Sequence, residues 1–429
     1  MARKAWGQHT KIPIGFQPAE KAGVESVCRL GMRDEKSGEV RKQIEEHMRE
    51  MKSVRFKLGE LFCGPGGLGW GAHTARVDSR GTSYSIEHAW AVDYDQDSCE
   101  TYRHNICPEN PDSVIRRDVR QLDINTLSPI DAFAYGFPCN DFSVVGEQKG
   151  FNGSFGPLYT YGIDIIDKFH PQFFLAENVS GIKSANDGAA FQKILSDLQQ
   201  AGYGYNLTIH LFKFEEYGIP QARHRVIIVG IKKSIGLFFR VPAPTTVDQP
   251  MTAREALEDP PIPAHAVNQE LTNQAQVVVE RLRHIKPGEN AWNASLPEHL
   301  RLNVKHARLS QIYKRLDPEA PAYTITGSGG GGTHCYHWKY PRALTNRERA
   351  RIQTFPDSFV FKGSKESVRR QIGMAVSPRM SQIIFSAILK MLAGTDYPSV
   401  TPNIVCPVES SGGTVLAKDI IRQYGLANA

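Results

Sequence analysis

Between residues 55 and 231 the chain alternates between two rhythms. Short, nearly continuous apolar runs recur: RFKLGELF, HAWAVD, AFAYGF, FFLAENV, YNLTIHLF and RVIIVGI. Between them lie stretches with helical spacing, such as AAFQKILSDLQQ, with Gly202 soon after as a stop signal. Strands separated by helices predict an α/β fold, a mostly parallel, Rossmann-like sheet with helices on both faces. Near VPAPTTVDQP the rhythm breaks, and the residues up to about 341 are irregular and rich in Pro, Gly, His and Arg. RALTNRERARIQTF and MSQIIFSAILKML then read as helices again. Ahead of the α/β part, EVRKQIEEHMREMK places Val40, Ile44 and Met48 at spacings of four, which predicts a helical arm. The expected organisation is an N-terminal helical extension (1–54), an α/β domain (55–240) and an inserted smaller domain (241–341). A return to the α/β domain (342–394) and a C-terminal extension (395–429) follow.

Composition narrows this picture only a little. A chain of 429 residues is long for one ordinary domain, which agrees with two domains plus appendages. The formal net charge of +6 permits a polyanionic partner without requiring one. No apolar run approaches the roughly 18 residues of a membrane span, and MARKAWGQHTKIP lacks the apolar core of a secretory signal. The seven cysteines are odd in number, scattered and free of any CxxC pair, which argues against a zinc knuckle or a disulfide framework. The expectation is a soluble, cytoplasmic protein with free thiols, no membrane partner and no metal.

Candidate chemistry begins at LGELFCGPGGLGWGAH, a strand running into a glycine turn and then a helix. Glycines there let a ligand approach the backbone at the carboxyl edge of the sheet, although alone such a turn is a weak signal. AVDYD adds Asp93 at the next strand end, suited to ribose hydroxyls, and RRDVR adds Asp118, an acceptor for an adenine amine. An adenosine-bearing cofactor fits all three; S-adenosylmethionine is the natural candidate and a nicotinamide cofactor its rival. AYGFPCNDFS then places Cys139 behind Pro138 at a strand end, where a lone Pro-Cys is more often structural than nucleophilic. FFLAENVSG places Glu177 and Asn178 at a similar edge, and YGIPQARHRVIIVG carries Gln221, Arg223 and Arg225 into another strand. Alternate strand residues share a face, so both arginines can point into one site. Each feature has a bland reading, a paired glutamate or a solvated arginine edge, but all on one rim are poorly explained by chance.

In this order, ELFCGPGGLGWG, AVDYD, RRDV, GFPCNDFS, ENV, QARHR, RALTNRERARIQTFPDSF and QIGMAVSP resemble the DNA cytosine-C5 methyltransferases of bacterial and phage restriction-modification systems. The resemblance covers roughly residues 56–390, with the variable stretch where that family keeps its target-recognition domain. It implies a Rossmann-like methyltransferase fold, S-adenosylmethionine as donor and a cytosine flipped out of double-stranded DNA as substrate. Cytosine C5 is a poor nucleophile, and a thiolate adding to C6 turns the ring into an enamine that can take a methyl. The resemblance assigns the thiolate to Cys139. It gives Glu177 to cytosine N3, a task suited to a carboxyl screened from water, and Arg225 to O2, with Arg223 alongside.

The same resemblance implies Phe62 and Tyr94 against the adenine, Asp93 on the ribose and Asp118 on the adenine amine. Gly64 and Gly66 approach the methionine end, with Gly67, Val119, Pro138 and Leu158 completing the pocket. Residues 140–159 correspond to a loop that closes over DNA, Ser143 being a phosphate or sugar contact. Arg308, Thr326, Gly330 and Gly331 are implied DNA contacts. Arg301, Lys305, Lys314 and Arg315 are further candidates for phosphates or guanine, with surface solubility as the bland reading of each. Two positions depart from the family pattern: Asn140 stands where glutamine usually follows the cysteine, and Met374 follows Gly373 where asparagine is common. HCYH (His334, Cys335, His337) has crowded metal-ligand spacing and reads instead as a DNA-facing loop. The rivals are the tRNA-methylating branch, whose Cys-Phe-Thr segment is missing here, and a silent DNA-binding regulator of the same fold. A monomer with a cognate restriction endonuclease encoded nearby completes the expectation.

Overall fold

The computed structural model describes residues 52–138, 158–182, 188–303, 310–327 and 331–405. The expected helical arm, Cys139, Asn140, Ser143, Lys305, Arg308 and Gly330 lie outside these residues. The chain enters through β1 (Lys52–Leu61), turns on glycines into α1 (Gly67–His73), and forms the hairpin β2 (Arg76–Ser79) and β3 (Thr82–Asp93). α2 (Gln96–Ile106), β4 (Val114–Arg116), β5 (Ala132–Tyr135), α3 (Tyr159–Phe169), β6 (Phe173–Val179), α4 (Ala189–Gln200) and β7 (Tyr205–Lys213) follow. The α/β part ends with β8 (Gln221–Ala222), β9 (His224–Lys232) and β10 (Val241–Pro242).

The strands run β2-β3-β1-β5-β6-β9-β7, with β4 on β3. Parallel pairing holds from β3 through β1 and β5 to β6, as the alternating rhythm implies. β9 pairs antiparallel with both β6 and β7, and β2 antiparallel with β3, so both ends of the sheet depart from the parallel rule. Phe173, Phe174, Leu175 and Ala176 of β6 are fully buried, as a strand covered on both faces requires. Each such phenylalanine contributes about 2–3 kcal/mol through burial.

One face of the sheet is covered by α3 and α4, whose Ile165, Ile166, Ile194 and Leu198 share a core with Phe133 and Phe174. The other face takes Leu68 and Ala72 of α1 and a returning helix, packed on Phe173 and Leu175. Among its described residues the variable region forms α5 (Ala253–Glu258), α6 (Gln276–Arg283), two short 3-10 turns and the short β11 (Ala322–Tyr323), which pairs with β8. α7 (Asn346–Ile352), α8 (Lys365–Met374), α9 (Pro378–Leu392) and β12 (Ser399–Val400) complete the chain. Met380, Ile384, Phe385 and Ile388 of α9 fill the second sheet face. α7 and α8 instead pack with the variable region: Ala253, Leu316, Ile325 and Trp338 share one core with Ile352, Phe359 and Ile372.

Candidate active site

β5 and β6 are parallel neighbours, so their carboxyl ends open on one rim. Asn178 Nδ2 donates to Phe137 O at 3.2 Å, which ties the loop leaving β5, just before Pro138 and Cys139, to the segment carrying Glu177. From the far side β9 runs antiparallel to β6 with Arg225 opposite Val179. Arg225 is thereby a diagonal neighbour of Glu177. Arg225 Nε lies 2.9 Å from Glu177 Oε1, and both side chains are only 13% exposed. A screened carboxylate–guanidinium pair presents an acceptor and a fork of donors to whatever occupies the rim.

Arg223 differs from the expectation. It does not offer its guanidinium to the rim: Nη1 donates to Ile325 O at 3.1 Å, and Nη2 to Gly373 O at 3.2 Å and Ala375 O at 3.0 Å. Alternation on a strand predicted a shared face, but Arg223 sits at the break between β8 and β9, where alternation does not hold. Its charge is disfavoured by burial and by Arg225, and favoured by Glu177.

The glycine turn forms the second half of the site. Phe62, Gly64 and Gly66 all have positive φ (54°, 51° and 96°), a conformation that is strained for phenylalanine. At Gly64 an added Cβ would meet nothing within 4 Å among the described residues, so the turn faces open space. Gly67 is pressed against the Val376 carbonyl, which explains why it carries no side chain. Asp93 holds the turn: one carboxylate oxygen accepts from Gly64 N at 2.8 Å and the other from Asp95 N at 2.9 Å. Burial pushes its pKa up while these amides pull it down. Tyr94 is 68% exposed beside it, a free ring at the pocket mouth. Val119 and Leu158 are buried, and Leu158 packs in the first sheet core with Phe137 and Tyr159. Asp118 is engaged by Arg120, whose Nε reaches Oδ1 at 2.9 Å.

Sequence reasoning missed the acid beneath this turn. Glu60 is 1% exposed, accepts from Tyr102 at 3.0 Å, and has its pKa raised by burial to about 8. Its position inside an apolar strand was the available signal. Arg370 Nη2, which donates to Asp95 Oδ2 at 2.9 Å, was also missed.

Several expected DNA readers are corrected. Arg315 is buried, with donors committed to the carbonyls of Leu282, Ile285, His337 and Trp338. His334, Cys335, Tyr336, His337 and Trp338 are all buried, so this segment is core rather than a groove-facing loop. No metal-binding group of three His, Cys, Asp or Glu occurs among the described residues. Lys314 Nζ lies over the Tyr323 ring at 5.0 Å, and Arg301 remains exposed. Thr326 is half-buried, and Gly331 opens a short 3-10 turn, Gly331–Thr333.

The chain is 58% identical over 354 residues to the type II methyltransferase M.BbvI of Brevibacillus brevis, covering 81% of this chain and 94% of that protein. It is 39% identical to the type II methyltransferase M.NgoFVII of Neisseria gonorrhoeae, covering 76% and 84% respectively. The solved Entamoeba histolytica methyltransferase EhMeth shares the fold, with a TM-score of 0.54 at 15% identity over 79% of this chain and 99% of that one. The family model for the C-5 cytosine-specific DNA methylases matches residues 56–390, and this chain belongs to that family.

Proposed function

We propose that this DNA cytosine methyltransferase acts on a base swung out of double-stranded DNA, through a transient bond between Cys139 and cytosine C6. The observation that carries the reading is the Glu177–Arg225 pair at 2.9 Å, on the rim where the chain leaves Pro138 for Cys139. A duplex hides both ring faces, so a thiol at a strand edge reaches C6 only if the base leaves the stack. Glu177, carrying a proton, donates it to N3 and Arg225 donates to O2, which draws electron density from C6 as the thiolate adds. C5 of the resulting enamine takes the methyl group; its proton then leaves to solvent as the C6–sulfur bond breaks, which restores the ring and returns the thiolate.

The donor pocket fits S-adenosylmethionine, the cofactor that membership of the family implies. Open space at Gly64, the exposed Tyr94 ring and the Asp93 carboxylate at the strand end suit an adenosine carrying a cationic tail. When bound, that cofactor supplies an electrophilic methyl group. Phe62 and Tyr94 would hold the adenine, Asp93 the ribose, and Gly64, Gly66 and Gly67 the methionine end. Asp118 would take the adenine amine once Arg120, which engages both of its carboxylate oxygens, swings aside. Pro138, Val119 and Leu158 shape the walls.

Target choice is assigned to the region 241–341, with Ser143, Arg308, Thr326, Gly330 and Gly331 against the DNA. A monomeric, cytoplasmic enzyme completes the reading, and the type II names of the relatives support a cognate restriction endonuclease beside it. Bisulfite sequencing of host DNA expressing the protein tests it. Methylcytosine in one sequence context supports the proposal, and unmodified DNA from cells containing folded protein contradicts it.

A further inference from the structure

The break before β9 buries a cation that the methyl-transfer reading leaves without a direct task. Arg223 is 2% exposed and spends its donors on the carbonyls of Ile325, Gly373 and Ala375. Its Nε has no partner among the described residues. Burying a guanidinium against carbonyls costs more than packing a methionine of similar length, so stability alone does not explain it.

What its contacts join is informative. Ile325 belongs to the segment that follows β11, in the region assigned to target choice, and Gly373 and Ala375 lie where α8 ends. Gln221 reinforces the same bridge: Ile325 N donates to its Oε1 at 2.8 Å, and its Nε2 donates to Gln353 Oε1 at 2.8 Å. Gln353 Nε2 in turn reaches Ile372 O at 2.8 Å and Ala375 O at 3.2 Å. Gly373 abuts the backbone of Thr326 and Gly327, and Val376 then abuts Gly67 of the donor turn. Arg225 follows Arg223 by two residues.

We propose that Arg223 is a positioning residue, tying the recognition segment at Ile325 to the Gly373–Ala375 turn so that both keep register with the Glu177–Arg225 pair. This rests on the reading of that pair given above. A lysine offers one nitrogen and cannot span carbonyls on two segments, whereas its charge and length are nearly retained.

The test uses the full chain carrying Arg223→Lys. It compares methylation of a duplex bearing the mapped site with duplexes altered at one base pair, alongside thermal unfolding and calorimetric binding of S-adenosylhomocysteine. The expected result is near-normal unfolding and ligand binding, with kcat and site discrimination each reduced about 10- to 100-fold. Wild-type kcat and discrimination per folded molecule overturn the proposal, because a merely structural role changes only the unfolding midpoint. If Arg223→Lys does not fold, Gly327→Ala carries the test. Its Cβ would lie 2.8 Å from the Arg370 carbonyl and from Met374 Cγ, prying open the same junction from the other side. Lost discrimination there supports the bridge, and retained discrimination overturns it. Failure of the underlying reading is separate, since it shows as a wild-type rate for Glu177→Gln.

Discussion

Glu177 and Arg225 meet across an antiparallel ladder, Oε1 to Nε at 2.9 Å, although the motif segments ENV and QARHR are more than forty residues apart in sequence. The antiparallel placement of β9 between β6 and β7 brings them together; a continued parallel sheet would send Arg225 to the opposite edge.

Replacing either partner should therefore act on chemistry more than on donor binding. Glu177→Gln is expected to slow addition to C6 by about 10²- to 10⁴-fold. Arg225→Met should slow it similarly and also cost about 3 kcal/mol of stability, because it leaves Glu177 screened and unpaired. Single-turnover rates and denaturant unfolding measure the two effects, and a wild-type rate for Glu177→Gln removes that residue from the mechanism.

Gly67→Ala addresses the donor turn. The added methyl would strike the Val376 carbonyl and push the turn away from the α8–α9 connection. We expect at least about 10-fold weaker S-adenosylhomocysteine binding, since overpacking here costs about 1–3 kcal/mol. Calorimetry giving wild-type affinity for a folded variant would show that the contact does not shape the pocket.

Glu60 gives a pH signature. Its carboxyl keeps a proton up to about pH 8 in the fold, against an ordinary value of 4.5. Over that window the folded protein holds a proton that the unfolded chain has released, so rising pH favours unfolding by up to about 1.4 kcal/mol per pH unit. Glu60→Gln has no such proton. Its unfolding free energy should fall less than that of the wild type as pH rises through this window, and parallel pH profiles would contradict the assignment.

Exchange of the variable region with that of a relative should move target choice. The core joining Ala253, Leu316 and Trp338 to Ile352, Phe359 and Ile372 sets where the exchange should end. A replacement stopping at residue 341 is expected to unfold more readily than one continuing through Ala375. Methylation mapping and thermal unfolding of both chimaeras decide this, and unchanged specificity in the longer one places recognition elsewhere.

Much of the sheet was legible because its strands are continuous apolar runs: FFLAENV becomes β6, residue for residue. The β2–β3 hairpin was not, because RVDS and TSYS carry mostly polar residues on an edge and leave no apolar run. The rim positions of Glu177 and Arg225 were readable from motif and strand end together. Arg223 was misread because strand alternation does not carry across the break between β8 and β9, and Arg315 because arginine is ordinarily a surface residue; only tertiary structure shows carbonyls converging on each buried guanidinium. HCYHW was misread for the opposite reason: a glycine run suggested an exposed loop, yet the aromatic residues after it supply core.

Incubation with a duplex containing 5-fluorocytosine in the mapped site, with S-adenosylmethionine present, tests the central claim most directly. Fluorine at C5 leaves no proton to remove, so the enzyme cannot release the ring. The wild type should form a denaturant-resistant protein–DNA adduct that Cys139→Ala does not form, although the variant still binds S-adenosylhomocysteine. Methylation of ordinary DNA by wild type without any trapped adduct, or an adduct formed equally by Cys139→Ala, would contradict the account.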